Sequence, residues 1–204
     1  GNCAAAAETN AAMRERVETV AAAVESVPAD QRPGVLYPMS GGYTPGPSTF
    51  VHDVIETAGG ENVAEDANVT FPPTGYAKIS NEVVIAQDPD WVVVTHGGTP
   101  PADPAANVPD AFSLDGTTAA EQRQFVAVNA NYVSQPGPRI VEPLTKLART
   151  FHPEAYAAAN ATTTTTTGRG TTARTETGTA STGMGTRGER ATEGASGGEP
   201  VARE

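Results

Sequence analysis

Apolar residues in the segment 4–27 recur at alternating spacings of four and three, at Met13, Val17, Val20, Val24 and Val27. That rhythm predicts a helix of about six turns with one apolar face. Pro28 and the turn-rich run PADQRP end it. The run GVLYP at 34–38 then reads as a short buried strand closed by a proline. In MSGGYTPGPS, at 39–48, three glycines and two prolines predict a loop, with Ser48 placed to cap the next helix. That helix presents Phe50, Val51, Val54, Ile55 and Ala58 to a core and stops at Gly59-Gly60, where a left-handed residue is needed.

Further on, a loop holding FPPTGY leads to a short helix, NEVVIAQ, at 81–87. Asp88-Pro89-Asp90 turns the chain into WVVVT, an unbroken apolar run that fits a central strand covered on both faces. Residues 97–118 read as loop, with one short strand expected around Ala111 to Leu114. FVAV and NYVSQ read as strand-like pieces on either side of an Asn129-Ala130-Asn131 turn. The run from Arg139 to Phe151 is helical, with Ile140, Leu144, Leu147 and Phe151 on one side and Pro143 tolerated in its first turns. Strands alternating with helices predict a three-layer α/β/α Rossmann-like sandwich of three to five mostly parallel strands.

Composition changes that picture at the carboxyl end. From Asn160 onward the chain is nearly all Thr, Gly, Arg, Glu, Ser and Ala, with six consecutive threonines at 162–167, and such a segment cannot bury a core. Residues 159–204 are therefore expected to form a disordered Thr/Gly-rich stalk, a candidate for O-linked sugar. Asn68-Val69-Thr70 and Asn160-Ala161-Thr162 are acceptor patterns for N-linked sugar, placing Asn68 and Asn160 as glycosylation candidates.

The net charge of -11 belongs to residues 1–159, where 19 acids face 8 bases and lysine occurs twice, at Lys78 and Lys146. This balance excludes nucleic acid as a partner and is expected of a protein from a salt-rich environment. No apolar run approaches the roughly 20 residues that cross a bilayer. Cys3 is the single cysteine, so no internal disulfide forms, and no hydrophobic signal segment stands before it to mark a lipid-attachment site. The opening Gly1-Asn2 lacks an initiator Met, and the chain is expected to be a fragment or a processed form. It contains no Gly-x-Ser-x-Gly elbow, no Gly-x-x-x-x-Gly-Lys phosphate loop, no Cys-x-x-Cys and no Gly-x-Gly-x-x-Gly between strand and helix. Enzyme chemistry and a resident cofactor are not expected.

Three stretches taken together carry a resemblance: STFVHDVIETAGGENVAED, ISNEVVIAQDPDWVVV and FVAVNANYVSQPGPRIVEPLTKLARTFHPE. Their shared signals are a helix ending Ala58-Gly-Gly-x-Asn62, a lead from Glu82 to Pro89-Asp90 into an apolar strand, and Gly137-Pro-Arg-Ile-Val141 opening the last helix. Over residues 1 to about 156 the chain resembles the C-terminal lobe of the substrate-binding proteins of ABC importers for cobalamin, ferric siderophores and haem. The resemblance implies that residues 1–30 form the helix bridging two lobes and 31–158 a ligand-binding lobe. That family carries an N-terminal lobe ahead of the bridging helix, so this chain is expected to hold half of an inter-lobe site. It also implies an extracellular, cell-surface-tethered protein that performs no bond chemistry and closes by a small lobe movement, with an ABC permease in the membrane as partner and Glu61 as a docking carboxylate.

In open α/β sheets ligands bind beyond the carboxyl ends of the strands. The loop after GVLYP supplies Tyr37, Met39, Tyr43 and the backbone of Gly41, Gly42 and Gly46; the loop after WVVVT supplies His96, Gly97 and Gly98. Aromatic faces and unhindered backbone suit a flat or ring-shaped metal chelate such as a corrin, a porphyrin or a catecholate, while the plainer reading makes these Gly-Pro segments turns. Arg139 opens a helix against the dipole and calls for a partner, a buried ion pair or a ligand carboxylate. His52, His96 and His152 lack the two-histidine spacing of a helical metal site and are expected to be structural or solvated, with His96 also able to cap an iron held by a chelate or haem. Asp88 and Asp90 are expected to belong to a turn and Glu82 to a helix start rather than to catalysis. Two other classes remain: a surface-tethered adhesion or structural module, and a divalent-metal binder, which would require the histidines to converge.

Overall fold

The computed structural model describes residues 3–67, 69–135 and 137–170, with side chains as far as Thr163. In chain order the elements are α1 (Cys3–Glu25), β1 (Gly34–Leu36), β2 (Tyr43–Pro45), α2 (Phe50–Thr57), β3 (Glu61–Asn62), α3 (Val63–Asp66) and β4 (Tyr76–Lys78). They continue with α4 (Asn81–Gln87), β5 (Trp91–His96), α5 (Thr118–Glu121), β6 (Phe125–Asn129), α6 (Ala130–Val133), α7 (Val141–Phe151) and α8 (Pro153–Gly170).

Side-chain alternation along the strands builds two cores. Val35 of β1, Val93 of β5 and Val126 and Val128 of β6 point to one side, where Val51, Val54 and Ile55 of α2, Leu144 and Leu147 of α7 and Val20 and Val24 of α1 meet them. Leu36, Val92, Val94 and Ala127 point the other way, onto Val63, Val84 and Ala119 of α3, α4 and α5 with Phe112 and Leu114. Val92, Val93 and Val94 are each at most 1% exposed, so the middle of β5 is apolar at successive positions because helices cover both of its faces. The α/β/α sandwich expected of the sequence is the observed architecture.

The main sheet is parallel with strand order β3-β1-β5-β6. From β1 the chain winds outward to β3, then crosses back to β5 on the other flank of β1. The winding therefore reverses between β1 and β5, and this switch point is where an open α/β sheet leaves a crevice beyond its strand ends. Asp90 fixes the register there: its carboxylate accepts from Gly34 N at 2.8 Å and its own N–H donates to Gly34 O at 2.9 Å. Asp88 adopts the left-handed conformation at φ 42° and accepts from Thr118 N and Oγ1 at 2.6 and 3.0 Å. The Asp-Pro-Asp turn is thus a strand clamp.

The double glycine has two separate causes. Gly59 sits at φ 85°, and a Cβ on it would lie 2.7 Å from His152 Nε2. At Gly60 a Cβ would meet Val35 Cγ2 at 2.6 Å and Phe151 at 3.0 Å. The first glycine ends α2, and the second lets the chain pass between β1 and α7. His152 is buried and its Nε2 bonds Gly59 O at 2.8 Å, pinning the α7–α8 junction to the end of α2.

Several local expectations are corrected. Ser48 is exposed and does not cap α2; Thr49 does, accepting from His52 N at 3.2 Å while its hydroxyl donates to Gly46 O at 2.8 Å. The Gly-Pro loop hides a strand, because positive φ at Gly41 and Gly42 returns the chain so that β2 pairs antiparallel with β4. Residues 111–114 form no strand; Phe112 and Leu114 are buried by irregular chain whose Ser113 N–H donates to the Asn81 side chain. NYVSQ is not a strand either, since Asn129 Oδ1 accepts from Asn131 N at 3.0 Å and starts the helical turn α6. On α1 the apolar face is used unevenly: Val20 is fully buried whereas Val17 is 39% exposed. α8 packs along α1, with Thr19 and Thr163 hydroxyls 3.4 Å apart, and it runs to Gly170, past the boundary at 159 expected for the stalk. The rest of that segment lies outside the described residues, as does Asn68.

Candidate ligand site at the strand ends

At the switch point the carboxyl ends of β1 and β5 frame a hollow of about 560 Å³. Tyr37, Met39 and Tyr43 line it from the β1 side, Tyr76 from β4, Thr95 from β5, and Ala130 and Ser134 from the α6 turn. Tyr37 forms its buried floor, part of the core beneath. Burial, and secondarily the nearby Tyr76, pushes its hydroxyl well above the ordinary tyrosine range. Met39 is half-buried, and Tyr43 is 41% exposed with the Lys78 ammonium 5.5 Å from its ring centroid. Asn107 reaches in and is held by donation from Nδ2 to Thr95 O at 2.9 Å. Among the described residues no lysine, arginine, aspartate or glutamate lines the hollow. It offers ring faces, a thioether, hydroxyls and one carboxamide, which bind by shape and neutral hydrogen bonds.

α6 separates this hollow from two shallower ones. His96, Gly98, Asn129, Tyr132, Glu142 and Lys146 line one of about 370 Å³, where the Lys146 ammonium donates to Ala127 O at 2.6 Å. His96 Nδ1 is buried there without a hydrogen-bond partner. Arg139, with Tyr132, Gln135 and Gly137, lines a third of about 380 Å³. Arg139 is exposed in a 3-10 turn, Pro138–Ile140, with its guanidinium 5.2 Å from the Tyr132 ring centroid and donating to the Tyr132 hydroxyl at 3.2 Å. Its partner is thus an aromatic ring rather than a buried carboxylate. Gly97 is exposed and lines none of the three.

Of the residues named from the sequence, Tyr37, Met39 and Tyr43 thus share one hollow, while His96 and Arg139 line two adjoining ones. It missed Tyr76, Thr95, Asn107, Tyr132 and Ser134. Thr95 was legible as the last residue of the WVVVT strand. Tyr76 was not, because its approach depends on the β2–β4 pairing. Trp91 stands at the opposite end of β5, five residues or about 17 Å from His96, and packs 6.0 Å from Phe151, so its fluorescence reports the core.

The remaining candidates fall elsewhere. The three histidines do not converge: His152 is structural, His96 is at the strand ends, and His52 lies on α2 beside Glu56 and Glu65. Glu82 is exposed, its carboxyl held below the usual range first by the Ser80 hydroxyl and then by its own backbone N–H. Glu61 is exposed on the edge strand β3, and Asn160 is exposed on α8.

The lobe is doubly wound, with a neutral, aromatic hollow at its switch point, the place where open α/β sheets take small molecules. Residues 2–132 match the family model described as periplasmic binding protein, and the chain belongs to that family. It is a family of binding proteins rather than enzymes. Over 154 residues the chain is 46% identical to a cobalamin-binding protein of Halobacterium salinarum, a match covering 74% of this chain and 40% of that protein. Among solved structures it is similar to the periplasmic haem-binding protein RhuT of Roseiflexus sp. RS-1 in apo form, with TM-score 0.56 and 28% identity over 72% of this chain and 56% of that one. It is also similar to an ABC-type Fe3+-hydroxamate transport system from Saccharomonospora viridis, with TM-score 0.52 and 33% identity over 72% and 49% of the two chains. The chain thus spans about 40% of the length of the curated cobalamin-binding relative it matches.

Proposed function

We propose that this lobe supplies one wall of the binding site of an ABC-importer solute-binding protein, acting outside the cell or tethered to its surface, and that its ligand is cobalamin. The observation that carries the ligand is the lining of the largest strand-end hollow, which holds three tyrosines and neutral hydrogen-bonding groups and no charged side chain. A corrin ring carries peripheral amides, which Thr95, Asn107 and Ser134 suit as neutral partners. Haem presents carboxylates, and many ferric chelates carry net charge, for which the lining itself provides no counter-ion, Lys78 standing outside it against the Tyr43 ring. The 46% identity to a cobalamin-binding protein supports the same choice. Glu61, exposed on the edge strand, is the proposed docking carboxylate toward a membrane permease.

Isothermal titration of the protein with cyanocobalamin, haemin and a ferric hydroxamate tests the reading. Cyanocobalamin is expected to bind at least tenfold more tightly than either competitor. Tighter binding of haemin or of the hydroxamate would reassign the ligand. Absence of binding by all three, in this chain and in a longer chain carrying both lobes, would remove the transport role.

A further inference from the structure

We propose that His52, Glu56 and Glu65 form a binding site for a divalent transition-metal ion of the zinc type, separate from the strand-end hollows. The three side chains each offer a ligand atom, and these atoms lie within 4.8 Å of one another. His52 and Glu56 are four apart on α2, which places them side by side on one face of the helix. Glu65 comes from α3, the next helix along the chain, and completes the set from the opposite side of β3.

The convergence is organised by a buried residue. Asn62 is 2% exposed, and its side-chain oxygen accepts from Ala64 N at 3.2 Å, starting α3 and aiming Glu65. Its backbone N–H donates to Glu56 Oε1 at 3.0 Å, holding that carboxylate while leaving the second oxygen available. Its Nδ2 donates to Pro45 O at 2.9 Å and stands 3.3 Å from His52 Nδ1. Outer partners of this kind orient metal ligands before the ion arrives. The contact to the imidazole is the longest of the four, so it is the one an ion taking a ring nitrogen displaces most readily.

Ligand chemistry selects the ion. One imidazole nitrogen with two carboxylates suits Zn²⁺, Co²⁺ or Ni²⁺, whereas Mg²⁺ and Ca²⁺ prefer all-oxygen shells. Atoms bound to a tetrahedral ion at about 2.1 Å stand about 3.4 Å apart. The set must therefore close by up to about 1.4 Å, a movement within reach of the exposed Glu65 side chain. Three protein ligands leave the fourth position to water. The bound ion would tie α2 to α3 across the short edge strand, stabilising the corner that carries Glu61.

The test uses tag-free protein carrying Cys3→Ser, because the exposed thiol is itself a zinc ligand. Zn²⁺ at ten times its dissociation constant is expected to raise the melting temperature by about 3–6 °C, while the same concentration of Mg²⁺ leaves it unchanged. Glu65→Gln, at an exposed position, should keep the fold and weaken Zn²⁺ binding at least tenfold; His52→Gln should abolish the shift; His96→Gln should retain it. If His52→Gln fails to fold, Glu65→Gln decides. A shift that is absent in the Cys3→Ser protein, that survives Glu65→Gln in full, or that is lost with His96→Gln overturns the proposal.

Discussion

Asn62 and His96 both close strands of the same parallel sheet, at the carboxyl ends of β3 and β5, and the structure treats them in opposite ways. Both polar atoms of the Asn62 side chain have partners, and the residue is buried. His96 is half-buried and its Nδ1 has no partner, although it is enclosed. A buried polar group costs about 1–3 kcal/mol when left unpaired. The fold meets that requirement at the β3 corner and leaves it unmet beside the strand-end hollows. The first arrangement is architecture; the second is a surface suited to an outside partner.

The comparison breaks most visibly if Asn62 is removed. Asn62→Ala withdraws the acceptor of Ala64 N and the donor of Pro45 O, so stability should fall by about 2–4 kcal/mol, with the midpoint of urea unfolding as the measurement. Ligand affinity, corrected for the folded fraction, should barely change. A loss below about 1 kcal/mol would mean that water substitutes for the carboxamide, and the contrast between corner and edge would fail.

Tyr43 probes the other side. It is 41% exposed and packs against Lys78 on the rim of the largest strand-end hollow. Tyr43→Ala is expected to cost less than about 0.5 kcal/mol of stability, as for exposed positions generally. Affinity for cyanocobalamin should fall about tenfold, equivalent to about 1.4 kcal/mol. The reverse outcome, lost stability with binding intact, would make the rim part of the scaffold and shift attention to the hollow lined by His96.

The same two regions show what the sequence could and could not disclose. The parallel sheet was legible because WVVVT runs apolar and β-branched without alternation, the pattern of a strand covered on both faces, and α2 because its apolar spacing ends in glycines. What failed was pairing at a distance. Nothing local in YTP or YAK announces that these segments meet, so β2, β4 and Tyr76 went unseen. Asn129-Ala130-Asn131 looked like a turn because an asparagine cap and an asparagine turn share their residue types. The rule that ligands sit beyond strand ends named Tyr37, Met39 and Tyr43 from the loop after β1, and they line one hollow, yet nothing in the sequence marked the Asn62 knot, whose partners Pro45, Glu56 and Ala64 are scattered in sequence and carry no pattern together.

Tyr37 stands between the two regions, since its ring belongs to the core and its edge to the hollow. Burial first, and then Tyr76, raises its hydroxyl pKa above the unfolded value of about 10. The folded state therefore holds this proton more tightly than the unfolded state. The corresponding stability is intact below about pH 10 and is lost as the pH climbs from there toward the folded pKa, at up to about 1.4 kcal/mol for each unit. Tyr37→Phe keeps the ring and removes the titration, so its unfolding midpoint should decline less steeply between pH 10 and 11 than that of the parent protein, with little difference near pH 7. If the two declines are parallel, the Tyr37 hydroxyl reaches solvent through the hollow and behaves as part of the binding edge; if they diverge as expected, the floor of the hollow is as dry as the core it covers, and a ligand resting there meets a preformed apolar surface.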